Sequence, residues 1–191
     1  MYCFTNAETG ATTFDPYRFM LRRAYSEGTD LRLYVTPLNA SVRKLMVELG
    51  LGEHYEFWLK ELVRINEEEA ARAARKPLPL WDFSDVNTIT GEAVPLPTDP
   101  NPMRWSWDFS HYRMAAGDLI LDRVLDHGEA GRDLPADFGV RLTGENVAAH
   151  VARNETTLAD WTAANTELAS QIVATTRSPR AQNRQAEAAC W

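Results

Sequence analysis

Residues 103–123, MRWSWDFSHYRMAAGDLILDR, join an aromatic segment to a helix, and the rest of the chain is organised around them. Trp105 and Trp107 alternate with other residues, a pattern typical of an extended segment with one buried face. Beyond them, apolar residues recur at the spacing of a helix with one buried side. That stripe comprises Met114, Leu119, Ile120, Leu121, Val124 and Leu125. A turn therefore lies between the two elements, and such turns are where site residues gather.

Asp108 and His111 stand in this turn with the spacing D-x-x-H. A carboxylate that accepts a hydrogen bond from one imidazole nitrogen raises the basicity of the other, which then faces a nucleophile or a substrate. Asp108 could equally serve as a helix N-cap, or bind Ser110 or the backbone. The spacing by itself leaves both interpretations open.

The first half of the chain reads as alternating helices and strands. Apolar spacing predicts a helix that begins near Asp15 and ends at Gly28, and a short central strand over residues 31–35. A helix capped by Asn39 or Ser41 follows, then a longer helix over about residues 53–75. A second strand is expected over residues 79–84. This order is typical of a parallel α/β sheet with right-handed crossovers.

Polar residues follow both predicted strands. Ligands of parallel sheets bind beyond the carboxyl ends of the strands. We therefore expect Asn39, Ser84 and Asp85 to line the same rim as His111. The Pro-rich residues 85–102 read as a long loop, either a cover strapped over the sheet or a substrate lid.

Arg104 and Trp107, at the start of the aromatic segment, are further candidate binding residues. The Arg104 guanidinium could bind an anionic group, or simply pair with Asp99 or Asp108.

The C-terminal part of the chain has a different apolar pattern. Apolar residues recur in steps compatible with a heptad, and Asn154 and Asn165 occupy positions in the same seam. We predict a long amphipathic helix over about residues 145–176 and a flexible tail over 177–191. The seam either packs on its own body or pairs with a partner helix, within a homo-oligomer or with another protein.

Composition excludes several function classes. The chain has 191 residues and a net charge of −7, and no basic face emerges, so we expect no nucleic-acid partner. Cys3 and Cys190 lie at opposite ends without metal-ligand spacing, so free thiols are expected. His54, His127 and His150 are scattered, and we interpret them as surface or capping residues. We expect neither a metal nor another cofactor.

Targeting signals are also lacking in the printed sequence. No apolar run reaches the length of a membrane span, so no transmembrane segment is expected. The N-terminal residues MYCFTNAETG lack the basic and apolar regions of a signal peptide, and the localisation stays unassigned.

Three segments carry a family resemblance: LRLYVTPLNASVRKLMVELGL (31–51), PLWDFSDVNTITGEAVP (79–95) and MRWSWDFSHYRMAAGDLILDRV (103–124). In this order they resemble the C-terminal part of bacterial SGNH (GDSL) hydrolase-like proteins, of the exopolysaccharide O-acetyltransferase type. The likeness covers roughly residues 14–142. It implies a partial flavodoxin-like parallel sheet, an exported protein, and Asp108 and His111 as the catalytic Asp and His.

The chain departs from that family in one respect. The family's nucleophilic Ser lies in a G-D-S-type block on the first strand, and no such block is found here. The expectation is that an upstream half is missing. Asn39 stands where the group carries His, and is at most an oxyanion donor.

Two functions remain in view. One is an SGNH-type esterase or O-acyltransferase, or a fragment of one, acting on a carbohydrate acyl ester; its Ser comes from a second chain or from an unidentified residue. The other is a non-catalytic binding or scaffold module that associates through the C-terminal helix. The expected organisation is an α/β domain over residues 1–142, a long helix within 143–176, and a tail over 177–191.

Overall fold

The computed structural model describes residues 4–95, 102–128 and 131–177. Helices and strands alternate along these ranges: α1 (Asp15–Glu27), β1 (Leu33–Val35), α2 (Ala40–Glu48), α3 (Gly52–Arg72), β2 (Leu80–Asp82), α4 (Met114–Leu125), β3 (Val140–Arg141), α5 (Val147–Ala164) and α6 (Thr166–Thr176). The predicted α/β class is confirmed, although the chain is mostly helical.

The sheet has the order β1-β2-β3. β1 and β2 are parallel, with Leu33 opposite Leu80, and α2 and α3 form the crossover between them. β3 is antiparallel to β2, with Trp81 opposite Arg141. The sheet is therefore mixed, which corrects the expected all-parallel sheet. After α4 the chain returns through a loop, and β3 begins at Val140 opposite Asp82, the last residue of β2. β3 therefore runs antiparallel to β2.

Local sequence signals explain the first helices. Asp15 and Pro16 lie in the first turn of α1, and Gly28 ends it in the left-handed conformation at φ 69°. Asn39 caps α2 by accepting a hydrogen bond from the Ser41 N–H at 3.0 Å. Both ends were predicted from these residue types.

A buried carboxylate ties α1 to α3. Glu69 is 1% exposed and accepts hydrogen bonds from Arg22 Nε at 2.8 Å and Nη2 at 2.7 Å. The hydrogen bonds from Arg22 lower the pKa of Glu69 to about 2. This bidentate pair joins α1 to α3.

Helix α4 buries only part of its predicted stripe. Leu119, Ile120 and Val124 are buried, together with Ala116, against Phe83 and Phe138. The remaining members of the stripe face outward: Met114 is 82% exposed, Leu121 53% and Leu125 50%. The predicted apolar stripe is therefore wider than the part of α4 that the described residues cover.

The prediction of a single long C-terminal helix is wrong. Asn165, at φ −121° and ψ 49°, separates α5 from α6, and its side-chain amide donates to the Trp161 carbonyl at the end of α5 at 2.8 Å. Beyond this break, α6 packs on α2.

The heptad seam packs on its own body. Val147, Val151, Leu158 and Trp161 are buried in the core that α5 shares with α2 and α3. A partner helix or oligomer stays a prediction, as does the division into domains. Most of the predicted tail lies outside the described residues, as do Cys3, Cys190 and Asp99. In the described part of the chain, no helix combines the length and apolarity needed to cross a membrane.

We predict that Gly139→Ala destabilises the protein more than Gly131→Ala does. Both glycines have φ 89°, so both variants carry the backbone cost of about 1–2 kcal/mol for an L-residue there. A Cβ at Gly139 would also lie 2.3 Å from Cε1 of Phe83, whereas the space around Gly131 is open. Overpacking of that kind adds about 1–3 kcal/mol, measurable by urea unfolding. An equal decrease in the free energy of unfolding in the two variants would contradict the close packing of the Phe83 ring against Gly139.

Candidate functional site

A tight backbone turn presents the D-x-x-H residues at the surface. Ser106 and Tyr112 form an antiparallel bridge. The Trp107 N–H donates to the His111 carbonyl at 2.7 Å, and the Arg113 N–H donates to the Trp105 carbonyl, also at 2.7 Å. Residues 108–111 form the tip of this hairpin, immediately before α4 begins at Met114. The predicted turn and helix are observed, but the expected extended segment with one buried face is reduced to the isolated bridge at Ser106, and Trp107 is exposed.

The Asp108 carboxylate organises the tip. Oδ1 accepts the backbone N–H groups of Ser110 at 2.8 Å and His111 at 2.9 Å, and Oδ2 lies 2.7 Å from the His111 Nδ1. The backbone hydrogen bond from Ser110, and then the contact with the His111 ring, hold the pKa of Asp108 well below its usual range. Asp108 therefore both binds the backbone and orients the imidazole, so the two interpretations coexist.

The imidazole has one occupied nitrogen and one open one. The His111 side chain is 75% exposed, and among the described residues no side chain hydrogen-bonds to its Nε2. With Nδ1–H donated to Asp108, Nε2 keeps its lone pair. Ser110 Oγ lies 3.3 Å from Nδ1, the nitrogen that Asp108 already binds. Ser110 is thus placed against the wrong nitrogen to be activated by this histidine.

Asn39 braces the tip through its backbone. Its N–H donates to the Phe109 carbonyl at 3.2 Å, and its side-chain Nδ2 donates to the Glu92 carbonyl at 3.1 Å. The structure thus places the backbone of Asn39 against the D-x-x-H turn. Its side chain, however, is engaged in capping α2 and in holding Glu92, so nothing assigns it to an oxyanion.

Glu92 supports the other side of the hairpin, and sequence analysis missed it. Its carboxylate accepts the backbone N–H groups of Arg104 and, at 2.9 Å, of Trp105. An acidic residue in a Pro-rich loop gave no local signal, because its partners are backbone groups that only the fold brings near.

Ser84 and Asp85 follow β2 as predicted, but both are buried, at 1% and 6% exposure. Ser84 Oγ donates to Asp82 Oδ1 at 2.6 Å and also contacts the Tyr55 hydroxyl. Asp85 accepts a hydrogen bond from Asn87 Nδ2 at 3.1 Å. They therefore belong to the interior below the turn and do not share the exposed surface of His111.

The two remaining candidates lie on the exposed hairpin. The Arg104 guanidinium stacks over the Trp105 ring at 4.3 Å. Trp107 is 68% exposed, and Arg113 lies 3.9 Å over its ring. Both cations are held by aromatic rings, a common arrangement for arginine.

A second polar cluster is buried between β2 and α5. Asp82 Oδ2 lies 2.7 Å from His150 Nε2, and both residues are almost fully buried. Arg153 contacts His150 Nδ1 at 2.8 Å and Asn154 contacts Nε2 at 3.2 Å. The expectation that His150 is a surface or capping residue is wrong. A usable signal existed, because His150 stands three residues after Val147, within the apolar stripe of the helix.

Burial shapes the electrostatics of this cluster. Desolvation, together with the charge of Asp82, raises the pKa of Asp85 to about 6. Burial also raises the pKa of the Tyr55 hydroxyl well above its usual range. The Asp85 carboxyl, beside the Asp82–His150 pair, therefore changes its charge in the mildly acidic range rather than near pH 4.

The chain matches no protein-family model, no curated protein and no solved structure with which it was compared. Within the described residues, no group of three or more His, Cys, Asp or Glu is arranged to hold a metal ion.

We predict that Asp85→Asn removes a pH-dependent loss of stability. Between about pH 4 and pH 6 the unfolded carboxyl is already ionised while the folded one still holds its proton, so wild-type stability falls as the pH rises. The variant lacks this fall and gains on the order of 2 kcal/mol over the wild type by pH 7. Urea unfolding at pH 4, 5, 6 and 7 measures the difference. Asp160→Asn, which removes an exposed carboxyl, is the control. Parallel curves for wild type and Asp85→Asn would contradict the burial of Asp85.

Proposed function

We propose that this protein acts in acyl transfer on carbohydrate esters in the manner of SGNH hydrolases, with Asp108 and His111 as its acid–base pair. The observation that carries the proposal is the 2.7 Å contact between Asp108 Oδ2 and His111 Nδ1, which leaves Nε2 uncovered. An imidazole oriented by a carboxylate through one nitrogen and open at the other is what a general base requires.

The backbone around the pair supports the same proposal. β1 and β2 are parallel and joined by a helical crossover, as in one unit of a flavodoxin-like sheet. The loop after β1 reaches the D-x-x-H turn through the hydrogen bond from Asn39 to Phe109. The pair therefore lies beside the carboxyl end of a parallel strand, where sites of such sheets are found.

The proposed reaction begins with a hydroxyl that gives its proton to His111 Nε2 as its oxygen attacks the acyl carbon. The bond between that carbon and the sugar oxygen then breaks, and Nε2–H returns the proton to the departing oxygen. Asp108 keeps the ring in the required tautomer and stabilises the imidazolium. The hydroxyl is a serine from a second chain or from outside the described residues, or a water molecule in slow hydrolysis.

Two exposed aromatic rings flank the pair and support a carbohydrate substrate. Trp107 is 68% exposed and Phe109 is 49% exposed, within the same turn as His111. Contiguous apolar surface marks binding sites, and a flat ring such as Phe109, or the face of Trp107 that Arg113 leaves uncovered, suits the apolar face of a sugar.

One observation favours the alternative of a non-catalytic association module. Tyr34, on the edge strand β1, is 40% exposed, and Met114, Leu121 and Leu125 stand outward on α4. In the described part of the chain, β1 pairs only with β2 and leaves its other edge open. An open edge beside outward apolar side chains is suited to a partner segment.

We predict that the chain hydrolyses a chromogenic acetyl ester and that His111→Ala abolishes this activity. Asp108→Asn lowers the rate by about two to four orders of magnitude, because the ring loses its orienting carboxylate. The matched control is His127→Ala, which removes another exposed imidazole beyond the far end of α4. Exposed imidazoles attack activated esters without any site, so His127→Ala measures that background.

Two results would contradict the enzymatic proposal. One is a rate that His111→Ala and His127→Ala lower equally. The other is no hydrolysis above the His111→Ala background when circular dichroism shows the fold intact. Either result would favour the association module.

A further inference from the structure

A cavity of about 560 Å³ opens between α2, α3 and α5, formed by residues other than Asp108 and His111. Its walls are mainly apolar, with Val47, Leu59, Val151, Leu158 and Ala159 among them. A volume of this order is typical of small-molecule sites, whose specificity comes from a few polar groups set in apolar walls.

Arg43 supplies the first such polar group. It lines the cavity, is 7% exposed, and has a buried Nη1 without a hydrogen-bond partner. No carboxylate of the described residues forms an ion pair with it, and its guanidinium stacks over the Tyr55 ring at 3.8 Å. A guanidinium stays charged at any physiological pH, and a buried charge with open donors is costly unless an anion meets it.

Asn154 supplies the second polar group of the cavity. It lines the same cavity at 6% exposure, and its Oδ1 is buried without a hydrogen-bond partner, while its Nδ2 contacts His150. Buried polar atoms in native proteins are nearly always paired. Two unpaired polar side chains in one cavity point independently to a missing ligand.

Charges around the cavity narrow the class of ligand. Glu53 and Glu155 are exposed lining residues, and Glu56 is half-buried. Lys44 also lines the cavity, but its amine is held by Glu48. Arg43 is thus a buried cation, and the more exposed charges around it are negative. These carboxylates repel a dianion such as a phosphate about twice as strongly as a monoanion, so the cavity favours a monoanion.

We propose that this cavity binds a small monocarboxylate with an apolar body. The carboxylate accepts hydrogen bonds from Arg43, and the apolar body lies against Leu59, Val151 and Leu158. A hydroxyl near the acid end of the ligand satisfies Asn154 Oδ1. The site does not depend on the chemistry of the D-x-x-H turn.

Isothermal titration calorimetry with octanoate tests the proposal, with octan-1-ol and octyl phosphate as matched probes. We expect octanoate to bind the wild type, and both other probes to bind more weakly. Arg43→Gln lowers the affinity for octanoate about 10- to 100-fold, because hydrogen bonds to a charged group are lost. Arg64→Gln removes a cation of α3 that does not line the cavity and is already paired with Glu61 and Glu68, and it leaves the affinity within about threefold.

A second variant keeps the test independent of Arg43. Ala159→Phe, on the exposed part of α5, fills the cavity without changing any charge and is expected to abolish octanoate binding. Arg43→Gln itself should fold, since it replaces a buried charge without an ion pair by a neutral side chain of similar length. Thermal unfolding followed by circular dichroism checks both variants.

Three outcomes would overturn the proposal. They are the absence of octanoate binding to the wild type, equal octanoate affinity in wild type and Arg43→Gln, and unchanged affinity in a folded Ala159→Phe. Tighter binding of octyl phosphate than of octanoate would also overturn the assignment of a monocarboxylate.

Discussion

The buried carboxylate of Asp82 is the constraint on which most of the structure depends. It ends the central strand β2 at 0% exposure, where an ionised group must be fully hydrogen-bonded. Ser84 satisfies Oδ1 through its N–H and hydroxyl, and His150 binds Oδ2. The bond to His150 fixes α5 across the end of the sheet. Because α5 also packs on α2 and α3, the same bond sets the position of the cavity wall.

The two candidate sites differ in how much of their surroundings the described chain provides. The D-x-x-H turn is exposed, and its open nitrogen faces no hydroxyl of the described residues. The position of the Asp108–His111 pair is set by the hydrogen bonds within the turn. Asn39 and Glu92 also hold the turn, through hydrogen bonds to the backbone of Phe109 and Trp105. The α2–α3–α5 cavity is built by three helices of the described chain, and its wall residue Tyr55 is tied to the Asp82 cluster through Ser84.

Local signals predicted the elements whose ends depend on one or two residues. Gly28 ends α1 and Asn39 caps α2 because these residue types satisfy backbone groups within a few positions. Asp108 and His111 were predicted as a pair because only two residues of a turn separate them. The failures share another cause. His150 was expected at the surface although it stands within the apolar stripe of α5, and its partner Asp82, 68 positions away, is brought to its ring only by the fold.

By itself the sequence determined the α/β class, the order of the elements from α1 to α4 and the D-x-x-H pair, because each rests on spacing within one segment. Tertiary structure alone decided the antiparallel β3, the break at Asn165 and the outward side of α4. It alone also placed the charge of Arg43 in a cavity between three helices. These features depend on which distant surfaces meet, and apolar periodicity shows only that a face can be buried, not what lies against it.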